Sequence, residues 1–229
     1  MQTEPFSHLR CLVRWYTPRV STVTYLRSRW GLTLQRAEAQ GSSPCLIDEI
    51  LEAYGENGRY YHTKEHLRHM FEVYDRFFAN PSITHELTFW YHDFYYDPTR
   101  QDNEDRSAAL AQKRVEQDLQ IPTGVGLKVQ NLILFSHYTR PPVTRDEMVL
   151  HDVDLAIFGE SIDLFGKYER DIRQEYSFVP DLDYKKGRAD ILRRFIRDPF
   201  YFTPEMCYSS YEDLAKRNIR RSIELLEAL

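Results

Sequence analysis

The apolar residues of this chain recur at the spacing of one helix face along most of its length. Ile83, Leu87, Trp90 and Phe94 are separated by four, three and four residues, and Ser82 before them suits a helix start. The same period recurs in the segments 103–119, 127–135, 161–176, 188–197 and 209–226. No segment alternates apolar and polar residues between hairpin turns, as β-strands do. We therefore expect an all-α, single-domain helical bundle.

Helix boundaries are predicted from capping chemistry. Asn103 suits a helix N-cap, because Glu104 follows it in the first turn, where the helix dipole favours an acidic residue. Ser209 and Glu212 have the three-residue spacing of a capping box. The segment 188–197 should form a helix that ends before Asp198-Pro199.

Composition limits the classes of function. A length of 229 residues suits one large domain, and a net charge of −5 gives no support to binding of nucleic acid polymers. Three distant cysteines form neither a disulfide framework nor a thiolate zinc site. The chain has no 18-residue apolar run and no secretory signal, so we expect a cytoplasmic protein without membrane contact. Its oligomeric state is open.

The segment around His92-Asp93 predicts a metal site. An imidazole next to a carboxylate, flanked by aromatic residues, is a poor element of a core but a good pair of ligands. His66 lies 26 residues earlier, and Asp152 and Asp154 lie about two helices later. Mixed nitrogen and oxygen ligands suit a divalent transition ion such as Mn, Fe, Ni or Zn. Either Asp152 or Asp154 would complete the set.

These motifs, in this order, resemble the HD superfamily of metal-dependent phosphohydrolases. The similarity extends from about residue 20 to the C-terminus and is greatest to a bacterial group of predicted HD phosphohydrolases. That group has Tyr-His-x-x-x-His, His-Asp-x-x-Tyr-Asp-Pro, Asp-Asn-Glu-x-x-Ser and Asp-x-Asp-Leu-x-x-x-Gly segments. Here they are matched by Tyr61–His66, His92–Pro98, Asp102–Ser107 and Asp152–Gly159.

The resemblance implies a role for each ligand position. By analogy with the cyclic-nucleotide phosphodiesterases of the superfamily, His62 would be the general acid and His66 a ligand. The second aspartate of the last segment tends to bind, which favours Asp154 and leaves Asp152 near the substrate or behind the ligands. His66, His92, Asp93 and Asp154 would then hold one ion. Residues 21–229 would form the HD-type domain, on which residues 1–20 would pack.

Further residues are candidates for proton transfer or for binding the substrate. Glu104 and His137 are alternatives to His62 for handling protons. Six basic residues could hold a phosphate, and the sequence does not rank them: Arg59, Lys64, Arg106, Arg140, Lys185 and Arg188. The substrate contacts we predict are Arg59, Asn103, His137 and Arg188.

The predicted function is metal-assisted hydrolysis of a phosphate ester in a small phosphorylated metabolite, with a nucleotide as the first class to consider. One alternative is a di-iron oxygenase, since the superfamily contains such members. They place two additional, well-separated histidines before the last aspartate. Here the intervening histidines are His137 and His151, and His151 lies only three residues before Asp154. A non-catalytic module that senses a ligand is the other alternative.

Overall fold

α-Helices form the fold throughout the residues that the computed structural model describes, 20–41, 44–121, 123–196 and 199–228. In chain order they are α1 (Thr22–Arg36), α2 (Pro44–Ala53), α3 (Lys64–Phe77), α4 (Ile83–Tyr91), α5 (Asn103–Lys113), α6 (Thr123–Phe135), α7 (Arg145–Asp154), α8 (Ile162–Glu175), α9 (Asp181–Phe195), α10 (Pro204–Cys207) and α11 (Ser210–Glu227). A π-helical turn, Arg114–Asp118, continues α5, and a 3₁₀ turn, Leu155–Gly159, continues α7. These ranges contain no β-strand, which confirms the all-α prediction. The predicted N-terminal segment falls almost wholly outside the described residues.

Helix α4 lies at the centre of the bundle. It packs against α1, α3, α5, α6 and α7, and every residue from Thr84 to Tyr91 is buried. A helix that is surrounded on all sides buries its whole circumference, and in α4 this includes the polar residues Thr84, His85, Glu86 and Thr88 beside the apolar ones. Trp90 packs edge-on against Trp30 at 5.3 Å between ring centroids and contacts Phe71 at 4.8 Å. The C-terminal end of α4 therefore enters the interior.

A buried ionic network joins α1 to α4. The Glu86 carboxylate is fully buried. It accepts hydrogen bonds from Arg29 at 3.1 Å and from the Thr33 hydroxyl at 2.6 Å, and it pairs with Arg36. Because a buried carboxylate is stable only when charged partners and hydrogen bonds surround it, these contacts fix the position of α4 relative to α1.

The start of α5 differs from the prediction. Asp102 occupies the N-cap position and Asn103 is the first helical residue. The Asn103 side chain accepts a hydrogen bond from the Asp97 backbone amide at 3.2 Å and donates one to the Asp97 carbonyl at 2.8 Å. It therefore holds the loop after α4 instead of capping its own helix. In the segment 103–119, the apolar residues that recur at helical spacing are Ala108, Ala111, Val115 and Leu119, and all four are buried.

The predicted capping box of α11 is also wrong. Ser209 caps the helix, since its hydroxyl accepts a hydrogen bond from the Tyr211 amide at 3.2 Å. Glu212 instead accepts hydrogen bonds from the backbone amides of Phe200 and Tyr201, at 2.7 and 2.9 Å. The carboxylate thus ties a preceding loop to α11, a partner that local spacing does not reveal.

Two further boundaries differ from the sequence pattern. Helix α4 ends at Tyr91, three residues before Phe94. Helix α9 begins at Asp181, seven residues earlier than predicted, and is described as far as Phe195. None of the helices in the described ranges combines the length and the apolar character needed to cross a membrane.

Candidate metal centre

Three helix ends converge on one point in the interior. His66 lies in the first turn of α3, His92 directly follows α4, and Asp154 is the last residue of α7. The sequence pattern placed His92-Asp93 within a helix, but the helix ends at Tyr91 and the doublet occupies the turn that follows. This turn lets both side chains approach the same point. The C-terminal end of α4 also carries partial negative charge, which favours a cation.

The donor atoms lie at distances suited to one shared ion. The Nε2 atom of His66 is 3.3 Å from Nε2 of His92 and 3.2 Å from Oδ1 of Asp154. His92 Nε2 lies 3.6 Å from that same oxygen. Ligand atoms bound to one ion at about 2.0–2.2 Å are about 3.0–3.6 Å apart. The cluster His66, His92 and Asp154 could therefore hold a metal ion.

Asp93 lies at the edge of this cluster. Its Oδ2 atom is 3.0 Å from His92 Nε2 and 3.8 Å from His66 Nε2. Burial alone would raise the pKa of Asp93, but the charge and hydrogen bond of His92 lower the pKa well below its usual value. Asp93 therefore lies beside the cluster as a carboxylate, but the three donors that lie together are those of His66, His92 and Asp154.

The orientation of His92 is set by its second ring nitrogen. Nδ1 lies 3.0 Å from the Phe89 carbonyl oxygen, which only accepts, and 3.3 Å from the Tyr54 hydroxyl. In the neutral form of His92, a proton on Nδ1 donates to Phe89 and the lone pair of Nε2 is directed at the cluster, which is the form that binds a metal. His66 lacks this support, because its buried Nδ1 has no hydrogen-bond partner among the described residues.

Tyr138 orients the carboxylate of Asp154. Its hydroxyl donates to Asp154 Oδ2 at 2.6 Å, which leaves Oδ1 for the cluster. The backbone of Tyr138 has φ of 48°, in the left-handed region that non-glycine residues rarely adopt. Such conformations occur where the surrounding structure requires them, often at functional sites. Tyr138 was not among the predicted site residues, because it lies in a turn after α6 and belongs to no motif.

His62 lies next to the cluster and is held by Glu175. Its Nδ1 is 2.7 Å from Glu175 Oε2, and the backbone amides of Tyr60, Tyr61 and His62 donate to Oε1 at 2.8, 2.8 and 3.0 Å. The Tyr96 hydroxyl donates to the same carboxylate at 2.8 Å, and the Tyr96 ring stacks on His62 at 4.1 Å. Glu175, 113 residues away at the end of α8, was also missed by the sequence analysis.

The pair His62 and Glu175 has opposite pKa shifts. Burial alone would lower the pKa of His62, but the charge and hydrogen bond of Glu175 outweigh it and raise that pKa. Burial would raise the pKa of Glu175, but the charge and hydrogen bonds of His62 lower it to about 2. The arrangement thus favours a protonated imidazole beside an ionised carboxylate, which suits a proton donor.

A cavity of about 400 Å³ opens beside these groups. His62, His92, Asp93 and Asp154 line one part of it. The remaining wall is mainly apolar and aromatic, and it includes Tyr61, Phe158, Tyr168, Ile172, Tyr184 and Phe195. Its volume lies within the range of cavities that bind small molecules.

Asp152 does not reach this cluster. Its carboxylate is fully buried and accepts hydrogen bonds from the backbone amides of Phe202 at 3.0 Å and Thr203 at 2.7 Å. Nδ1 of His151 lies 3.0 Å from the same group. Asp152 and Asp154 therefore face different parts of the molecule. Asp152 binds the loop before α10, and Asp154 belongs to the candidate metal centre.

Arg59 and Asn103 bind backbone near the doublet. Arg59 donates to the carbonyl oxygens of Asp93 at 2.7 Å and Phe94 at 2.8 Å, and its side chain is buried. Asn103 holds Asp97, as described above. Both side chains stabilise the turn after α4. Neither lies in the wall of the 400 Å³ cavity, where the predicted contact with a substrate would be made.

Glu104, His137 and Arg188 are placed differently from one another. Glu104 and Arg188 line the cavity, while His137 does not. Nδ1 of His137 lies 3.5 Å from Glu104, so this histidine is behind Glu104. The predicted proton-handling residues are thus divided, since His62 is next to the cluster and His137 is not.

No family model, curated protein or solved structure matches this chain. The resemblance to the HD superfamily therefore depends on the four sequence segments alone. The grouping of His66, His92 and Asp154 is independent of that resemblance, because it follows from where three helices end.

Proposed function

We propose that this protein is a metal-dependent phosphohydrolase that cleaves a phosphate ester in a small phosphorylated metabolite. One divalent transition ion, Mn, Fe, Ni or Zn, would be held by His66, His92, Asp93 and Asp154. The observation that carries the proposal is the cluster of nitrogen and oxygen donors, which lies beside a small-molecule cavity, with a partly buried histidine paired to a buried carboxylate next to it. A nucleotide is the first substrate class to test.

The residues would divide the reaction between them. A bound divalent ion supplies a more acidic water and a partner for a phosphoryl oxygen. His62 donates a proton to the leaving oxygen, while Glu175 holds its Nδ1 and keeps Nε2 available to the substrate. Tyr138 keeps Asp154 oriented, and the apolar wall of the cavity limits access of bulk water.

The oxygenase alternative has less support. It needs additional histidine ligands between the doublet and Asp154. His137 lies next to Glu104 and His151 next to Asp152, and neither joins the donor cluster. The sequence between the doublet and Asp154 contains no other histidine. We therefore propose hydrolysis.

The test is a panel of phosphomonoesters, phosphodiesters and nucleotides assayed with added Mn²⁺, Ni²⁺, Co²⁺ or Zn²⁺. We expect one class to be hydrolysed, with kcat reduced about 10²–10⁴-fold in His62→Gln, the range of a lost general acid. His69→Gln is the matched control, since His69 is on α3 and bonds Glu160 at 3.1 Å outside the cavity. Activity that is absent with every metal, or unchanged in His62→Gln, would refute the proposal.

A further inference from the structure

The charges that line the cavity are mostly negative. Among the described residues of its wall, Asp93, Glu104, Asp154 and Asp183 carry carboxylates, and Arg188 carries the single guanidinium or ammonium group. This is an unusual environment for a substrate with several negative charges, because each added charge is repelled by the carboxylates around it.

The charge of Arg188 is already balanced within the protein. Its Nη2 donates to the Tyr168 hydroxyl at 2.7 Å and pairs with the Glu169 carboxylate. The residue is buried, and its guanidinium lies 5.1 Å from the centre of the Tyr168 ring. A substrate would therefore meet a neutral ion pair at this position and not a free positive charge.

The remaining basic residues that the sequence offered for holding a phosphate are outside the cavity wall, namely Arg59, Lys64, Arg106, Arg140 and Lys185. Arg59 is bound to backbone carbonyls beyond the doublet. Arg106 lies over the Tyr95 ring at 4.1 Å, and Arg140 pairs with Glu147. The cavity thus has no cluster of arginines or lysines of the kind that recognises polyphosphates.

Two carboxylates of the cavity wall remain without a compensating positive charge. A divalent ion would offset Asp93 and Asp154, and a protonated His62 is offset by Glu175. Glu104 and Asp183 then remain, with His137 at 3.5 Å from Glu104 and at the edge of hydrogen-bonding distance. Each further negative charge on the substrate therefore weakens binding.

We infer that this cavity selects a phosphodiester, which carries one negative charge, over phosphomonoesters and polyphosphates. The inference rests on the proposed function and narrows it. Water adds to phosphorus, one P–O ester bond breaks, and the leaving oxygen takes a proton from His62. A proton lost by the attacking water restores the protonated His62, so that a diester and water yield a monoester and an alcohol. The monoester product carries about two negative charges above its second pKa of roughly 6, and the same carboxylates favour its release.

The test compares bis(4-nitrophenyl) phosphate with 4-nitrophenyl phosphate on the Mn²⁺-loaded protein. We expect kcat/KM to be at least tenfold higher for the diester, equivalent to about 1.4 kcal/mol. Glu104→Gln and Asp183→Asn should each reduce this ratio by making the monoester a better substrate. Asp190→Asn is the matched control, because Asp190 is on α9 like Asp183, is exposed, pairs with Arg193 and does not line the cavity.

A binding measurement separates this inference from the proposed function. Both compounds are titrated by calorimetry. The wild-type protein is used if it hydrolyses neither compound, and His62→Gln is used if the wild type hydrolyses one of them. Tighter binding of the diester without hydrolysis would support the charge selection and refute the hydrolase. Hydrolysis with a preference for the monoester, or with a ratio that the two cavity variants leave unchanged, would refute the charge selection alone. Failure of both compounds to bind would refute the charge selection and the hydrolase alike.

Discussion

At the scale of single residues, the candidate site depends on groups that orient other groups. His92 is directed by the Phe89 carbonyl, Asp154 by Tyr138 and His62 by Glu175. Partners of this kind matter because a ligand or acid that can rotate loses the geometry its chemistry needs. Substitution of these orienting side chains should therefore affect the site, as substitution of the donors does.

Replacement of Tyr138 by Phe should weaken metal binding without unfolding the protein. The change removes only the hydroxyl that donates to Asp154 Oδ2. Loss of such a supporting hydrogen bond typically lowers metal affinity about 10–100-fold. Competition titration with a chromogenic chelator would measure it, and Tyr208→Phe serves as the control because Tyr208 is 88% exposed. Equal affinity in Tyr138→Phe and the wild type would contradict this role.

Replacement of Glu175 by Gln should change how stability depends on pH. Burial opposes ionisation of Glu175, but His62 lowers its pKa to about 2 from an ordinary value of 4.5. A lowered carboxylate pKa adds stability above pH 4.5, and that stability is lost as the pH falls toward 2. The shift corresponds to at most about 3 kcal/mol.

Urea unfolding at several pH values would measure this effect. The wild type should be more stable than Glu175→Gln at pH 7, and the difference should shrink as the pH falls below 4.5. A difference that stays constant between neutral and acid pH would show that Glu175 stabilises the fold only through uncharged contacts.

The residues that could be foreseen from the sequence are those within motifs. His66, His92 and Asp154 were predicted as ligands and lie together in the structure. Tyr138 and Glu175 could not be foreseen, because neither has a characteristic spacing to the residue it orients. Asp152 and Asp154 point in different directions on any helix, and the sequence alone did not decide between them, because only the placement of α7 in the bundle determines which one faces the cluster.

At the scale of elements, the ends of helices form the site. The buried helix α4 ends just before the doublet, α7 ends at Asp154, and α3 begins two residues before His66. Periodicity predicted that helices would be present here, since their buried faces are apolar. Capping chemistry placed the helix starts after Ser82 and Ser209 correctly. It did not predict the contacts of Asn103 and Glu212, because their partners lie in other segments. The start of α9 was missed because its first two turns are largely polar and exposed.

The position of α4 should depend on Glu86. Replacement of Glu86 by Ala would remove the charged partner of Arg29 on α4 and leave the half-exposed Asp75 on α3 as its ion-pair partner. Leaving a buried charge without any partner costs about 3–5 kcal/mol, and we expect a loss below that range because Asp75 still offsets Arg29. Glu72→Ala is a suitable control, since Glu72 is largely exposed and pairs with Arg68 on the surface of α3.

Chemical denaturation would compare these two variants. We expect Glu72→Ala to stay within about 0.5 kcal/mol of the wild type, as surface changes usually do. A loss in Glu86→Ala no larger than that of Glu72→Ala would show that the network does not hold α4 in place.

At the scale of the whole molecule, the cavity has a charge pattern distinct from that of the chain. The chain as a whole has nearly balanced charges, with 30 basic and 35 acidic residues. The cavity wall has four carboxylates and one paired guanidinium. Composition could not reveal this difference, because it arises from which residues of α5, α7 and α9 line the cavity. A divalent cation is the partner that such a wall favours most directly.

The most direct test of the account is the number of ions each chain binds. Purified protein stripped with chelator, reloaded with Zn²⁺ or Mn²⁺ and analysed by mass spectrometry should contain one ion per chain. His92→Gln and Asp154→Asn should lose that ion, while His69→Gln should keep it, because His69 bonds Glu160 away from the cluster. A wild type that retains no ion, or that retains one equally well in His92→Gln, would contradict the metal centre.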